Sequence, residues 1–139
     1  MRTLLAAGLA ACLVSCGPSE AKKTLCASNL KSLWMLQQAA AKGKAMSRAT
    51  GRSFWLETQS AEDLDAYVCP LSDRKPGKGV TTYRGPKADV NRLKLSDMVG
   101  ACAGIHSDGS VTALRKDGSV VVLKKTDAEA AEARSSTAE

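Results

Sequence analysis

Residues 105–123 constrain the fold more than any other stretch. They read Ile-His-Ser-Asp-Gly-Ser-Val-Thr-Ala-Leu-Arg-Lys-Asp-Gly-Ser-Val-Val-Val-Leu. Asp108-Gly109-Ser110-Val111 returns nine residues later as Asp117-Gly118-Ser119-Val120. Asp-Gly between apolar runs is a hairpin signal, because a type I′ turn requires positive φ at both central residues. The pattern predicts strands over 110–115 and 119–124 joined at Lys116-Asp117-Gly118-Ser119. Asp108-Gly109 would turn the chain in from a further strand over 99–105. In the first hairpin strand Val111 and Ala113 share a face, with Thr112 and Leu114 opposite. The second strand is apolar on both faces, which predicts a central, covered position. The result is a three-stranded antiparallel meander whose apolar face needs a cover.

The cover comes from the other end of the chain. Ser19 reads as an N-cap with Glu20 in the first turn. Leu30, Leu33, Trp34, Gln37 and Ala41 then recur at three and four, widened by Leu25, Leu36 and Ala40. Gly43 marks the end, so a helix over about 20–44 is expected, roughly 37 Å long. The fold class is therefore α+β: a long N-terminal amphipathic helix packed on a small antiparallel β-sheet. Aromatics make up only 4% of the chain, which predicts a small, aliphatic core. Between the two ends, Phe54-Trp55-Leu56 reads as core, Ser60 and Asp63 as a capping box, 80–84 as a strand and 89–96 as a link. Residues 127–139 are rich in Ala, Glu and Ser and read as frayed.

Met1-Arg2-Thr3 is a short positive segment, and the apolar run after it is too short to span a bilayer, which takes about 20 residues. It ends Leu13-Val14-Ser15-Cys16, which resembles a bacterial lipobox. Cleavage is expected between Ser15 and Cys16, with Cys16 acylated and held in the lipid bilayer. In the lipoproteins this ending resembles, Asp after the lipid cysteine is an inner-membrane retention signal, so the resemblance with Gly17 there implies the outer membrane. The expected organisation is a signal peptide over 1–15, a lipidated tether over 16–21, one domain over 22–125 and a flexible tail over 126–139.

The formal net charge of +6 favours anionic surfaces weakly and gives no sign of a nucleic-acid partner. Cys26, Cys69 and Cys102 would stand in an oxidising compartment, and three cysteines allow one disulfide. Cys69–Cys102 would tie the middle segment to the sheet; Cys26–Cys69 would tie helix to loop. Cys102 and His106 form C-x-x-x-H, with Cys69 able to approach. One histidine without a paired C-x-x-C is a poor zinc or Cys-His signature. The expectation is accordingly no enzyme and no cofactor, with His106 hydrogen-bonding the turn near Asp108.

Four motifs in order resemble one family. Cys26-Ala27-Ser28-Asn29-Leu30-Lys31 looks like the Cys-x-x-Asn-Leu-Lys of type II secretion pseudopilins. Tyr67-Val68-Cys69-Pro70 and Thr82-Tyr83-Arg84-Gly85-Pro86 are similar to their Cys-Pro and Tyr-x-Gly segments. His106 followed by Asp117-Gly118-Ser119-Val120 resembles their C-terminal signature. Together these motifs cover about 22–124. The pseudopilin cleavage site and its long apolar helix are absent, and a lipobox stands in their place. The resemblance implies a pilin-like head, a structural or interaction role, and an envelope protein partner in a secretion or pilus system. It also implies calcium as the one cofactor to consider, at Asp108 and Asp117. Apart from the resemblance, a metal- or ligand-sensing role for the His106, Asp108 and Asp117 region is the alternative function.

Overall fold

The computed structural model describes residues 18–104, 106–124 and 126–139. The lipobox residues Ser15 and Cys16 lie outside them. Helix α1 spans Pro18–Ala41. It ends where Lys42 and Gly43 take positive φ, 49° and 75°, so the glycine stop acts three residues earlier than the sequence pattern suggests. Cys26, Leu30, Leu33, Trp34 and Gln37 form its buried face, at the three-and-four spacing of one helical side. A short helix α2, Arg52–Leu56, follows and buries Phe54 and Trp55. The chain then passes through a 3-10 turn at Leu64–Tyr67 before entering the sheet.

The sheet is antiparallel and five-stranded. Its strands are β1 (Tyr83–Pro86), β2 (Met98–Cys102), β3 (Ser110–Arg115), β4 (Val120–Lys124) and β5 (Thr137–Ala138). The spatial order is β4-β3-β2-β1-β5. The predicted meander is therefore present as β2-β3-β4, with Leu114 opposite Val120 and Val111 opposite Leu123. A register irregularity between Met98 and Gly100 bends β2. At Gly100 a Cβ would come within 2.7 Å of the Trp55 ring, so only glycine lets α2 close on the sheet.

Both faces of the sheet are covered, by different helices. On one face Leu114, Val99 and Cys102 join Leu30, Leu33, Trp34, Phe54, Trp55, Tyr67 and Tyr83 under α1 and α2. On the other, Met98, Ala101, Ala113 and Leu123 meet Ala130 and Ala133 of α3, Ala128–Ser136. The C-terminal segment expected to be a flexible tail thus supplies a helix and an edge strand. Arg84 holds it: Nε donates to Thr137 Oγ1 at 3.1 Å, and one terminal nitrogen donates to the carbonyls of Arg134 and Thr137 at 3.0 and 2.8 Å. Small residues on helix and strand let the two approach closely, a pattern that apolar periodicity does not flag.

A second difference concerns β4. Its run of valines suggested a central strand, but it lies at the sheet edge, with Val122 half exposed. β-branched residues report a preference for strand, not a place within the sheet. The link over 89–96 carries a 3-10 turn, Val90–Arg92, whose Val90 is fully buried. Among the described residues no helix is long and apolar enough to cross a membrane.

Candidate metal centre

The internal echo is one turn built twice. In the second copy Gly118 N donates to Arg115 O and Arg115 N donates to Ser119 O, both at 2.9 Å. In the first copy Gly109 N donates to His106 O and His106 N donates to Ser110 O, both at 2.8 Å. Gly109 and Gly118 have φ of 83° and 86°, while Asp108 and Asp117 do not take positive φ. The turns are therefore three-residue loops closed on a left-handed glycine, not the expected type I′. The aspartates act locally. Asp117 Oδ1 accepts from Ser119 N and Oγ at 2.8 and 2.6 Å; Asp108 Oδ1 accepts from Ser110 N and Oγ at 3.0 and 2.7 Å.

The two copies differ in what stands at their first position. Arg115 occupies it in one and His106 in the other. His106 is buried, and its Nδ1 lies 3.0 Å from Ser110 Oγ. Ser110 Oγ spends its own proton on Asp108, so its oxygen accepts from Nδ1–H. That fixes the tautomer and leaves Nε2 facing inward. Lys23 of α1 completes the chain, with Nζ 2.5 Å from Asp108 Oδ2. Lys23, and after it Ser110, hold the Asp108 carboxyl well below the usual range. Asp108, ahead of Glu20, raises Lys23 in return.

Three thiols meet that inward nitrogen. Cys26 comes from the buried face of α1, and Cys102 is the last residue of β2. Cys69 comes from the loop before β1, where its N–H is held by Thr82 Oγ1 at 2.6 Å. Their Sγ atoms lie 3.8, 3.3 and 3.5 Å from His106 Nε2 for Cys26, Cys102 and Cys69. All four ligand atoms fall within 4.8 Å of one another, and all four residues are buried. Tetrahedral zinc has sulfur–nitrogen edges of about 3.6 Å and sulfur–sulfur edges of about 3.8 Å. The three sulfur–nitrogen distances match. Cys26 Sγ and Cys102 Sγ, 2.9 Å apart, are closer than that edge.

The electrostatics suit a cation. Hydrogen bonds from Cys102 and then Cys26 hold the Cys69 thiol well below its usual range, against burial. The same contacts with Cys26 and Cys69, together with burial, push Cys102 up. His106 is raised to about 9, first by Cys26 and then by Cys69, while burial opposes. Without a metal the site thus favours a Cys69 thiolate beside a His106 imidazolium. A metal ion held by these four residues would take the place of that proton and draw the thiols to thiolate. Burial, and after it the neighbouring Cys26, raise the Tyr83 phenol, whose hydroxyl faces Cys26 Sγ at 3.7 Å.

The cluster corrects the expectation of no cofactor: Cys26, Cys69, Cys102 and His106 could hold a metal ion. It also recasts the disulfide question. All three cysteines are free and share one site, and the closest pair is Cys26 and Cys102, not Cys69 and Cys102. The calcium pair is not brought together. Asp108 stands behind His106, whereas Asp117 caps its own turn, and neither joins a metal-holding group among the described residues. Cys26 is the ligand that sequence reasoning missed. Its signal was its place on the same helix face as Leu30 and Leu33. Comparison with protein-family models, curated proteins and solved structures finds no match to this chain, so its function has to be read from these residues.

Proposed function

We propose that this chain is a lipid-tethered envelope protein whose head is a non-catalytic interaction module, held in shape by one zinc ion on Cys26, Cys69, Cys102 and His106. The observation that carries this reading is the closed, buried Cys3His cluster. Soft thiolates with one imidazole select zinc over calcium or magnesium. Four protein ligands leave no coordination position for water or substrate, which is the pattern of a structural site. The ligands come from a helix, a loop, a strand and a turn, so the ion would cross-link segments distant in sequence.

The lipobox at Ser15-Cys16 supports the tether. A long helix lying on an antiparallel sheet is also the arrangement the pseudopilin resemblance implies, and it supports a secretion or pilus component as the partner. The test of the metal is elemental analysis of the full chain purified in detergent, followed by melting with and without a chelator. One zinc per chain is expected. Free zinc at 100 times its Kd adds about 2.7 kcal/mol, or about 10 °C in Tm for a domain of this size. A chain without metal, whose Tm zinc does not raise, refutes the reading. In-cell crosslinking tests the partner: links to unrelated envelope proteins alone would separate the head from secretion and pilus systems.

A further inference from the structure

The 2.9 Å contact between Cys26 Sγ and Cys102 Sγ lies midway between two chemical states. Opening it by about 0.9 Å gives the sulfur–sulfur edge of tetrahedral zinc. Closing it by about the same amount gives a disulfide, near 2.05 Å. The backbones that carry the two sulfurs belong to α1 and β2, which share one core, so neither state requires the fold to open.

Access to the site is asymmetric. A cavity of about 110 Å³ is lined by Cys69, Leu71, Thr82, Cys102, Gly104 and His106, among others, and Cys26 is not part of its wall. That volume is several times what one water-sized molecule needs. It admits a small oxidant to Cys102 and is far too small for a peptide thiol, whereas Cys69 also lines a larger cavity of about 620 Å³ beside Leu25 and Asn29, in which Cys102 has no part. Cys26 is fully buried.

We propose that the site is a peroxide-responsive zinc switch, a regulation that rests on the zinc reading above. Hydrogen peroxide enters the cavity and meets Cys102. The Cys102 sulfur takes one oxygen as the O–O bond breaks, and the other oxygen leaves as water after taking up a proton from solvent. The Cys26 sulfur then attacks Cys102, the S–S bond forms, and the displaced hydroxyl leaves as a second water with another solvent proton. Two thiolates lose two electrons in total, and one peroxide is reduced to two waters. Zinc retains only Cys69 and His106 and dissociates. A dithiol reductant restores the ligands.

The experiment uses the full chain in detergent, first assayed for bound zinc and then treated with stoichiometric hydrogen peroxide or with oxidised glutathione. Zinc release is read with a chromophoric chelator, and linked peptides are mapped by mass spectrometry without reduction. The expected result is one zinc released per peroxide, a Cys26–Cys102 linked peptide, reloading after dithiothreitol, and no glutathione on Cys102 after treatment with oxidised glutathione. Zinc retained under peroxide overturns the switch and leaves the zinc reading intact. A linked peptide containing Cys69 overturns the assignment of the pair. Glutathione found on Cys102 overturns the cavity route. A chain that carries no zinc before treatment, and takes none up, overturns both the metal reading and the switch.

Discussion

The duplicated turn supplies a variant and its own control. Ser110 and Ser119 occupy equivalent places, and each hydroxyl donates to the aspartate two residues before it, at 2.7 and 2.6 Å. Only Ser110 also accepts from a histidine. Ser110→Ala therefore removes the group that sets the His106 tautomer, whereas Ser119→Ala removes the same turn bond and leaves the site alone. Loss of an outer partner to a ligating histidine typically weakens metal binding about 10–100-fold, or roughly 1.4–2.7 kcal/mol. The turn around Ser110 survives, because Asp108 Oδ1 keeps the Ser110 N–H and Oδ2 keeps Lys23. Competition with a chelator of known zinc affinity, on the full chain at neutral pH, reads both variants. Ser110→Ala should fall in that range and Ser119→Ala should stay within twofold of the parent. Equal affinities for the two variants would refute the argument that Ser110 orients His106.

Three further outcomes follow from the same structure. Trp34→Ala should destabilise the protein by about 3–5 kcal/mol, because the indole is buried against Phe54, 6.5 Å between ring centres; an unchanged Tm in thermal melts would remove Trp34 from the core. Ala133→Asp should cost several kcal/mol by burying an unpaired carboxylate between α3 and β2, read as a large fall in denaturant midpoint; no change would show that α3 does not cover the sheet in solution. In metal-free protein two shifts oppose each other. The contribution of His106, raised to about 9, is fully present below its unfolded value near 6.5 and is lost as pH passes through 9, whereas that of Cys69, held low, is fully present above its unfolded value near 9 and is lost as pH falls. Between about 6.5 and 9 the folded pair and the unfolded pair each bind one proton, so melts of the stripped chain should be level there, and a steady fall across that window would count against a Cys69 thiolate beside His106.

The fold was legible wherever one residue type had one physical meaning. Leu30, Leu33 and Trp34 can bury together only on a helix, and Asp-Gly between apolar runs leaves few alternatives to a turn. α3 was hidden because alanine says little about burial. Ala130 and Ala133 are core only because they meet Ala101 and Ala113, and that contact is long-range. β4 misled for the opposite reason: Val120, Val121 and Val122 carry the same side chain in three different surroundings. The metal centre was half visible in Cys102 and His106. Its other members stand at positions 26 and 69, and no local spacing joins them to the turn.

The site's place in the fold explains why an ion would matter here more than another apolar contact. The segment between α2 and β1 has a single 3-10 turn as regular structure and pairs with no strand among the described residues. What holds it is Tyr67 and Cys69 in the core, the Thr81 and Thr82 bonds beside them, and Gln59, whose amide group bonds Gly77, Gly79 and Val80. A metal on Cys69 would tie this segment to α1 and β2 at once, whereas α3, on the far face of the sheet, gains nothing directly. Stripping the ion should therefore loosen the loop first, as faster amide exchange around Cys69, before it lowers the stability of β3 and β4. The same ion fixes α1, through Cys26, to the sheet.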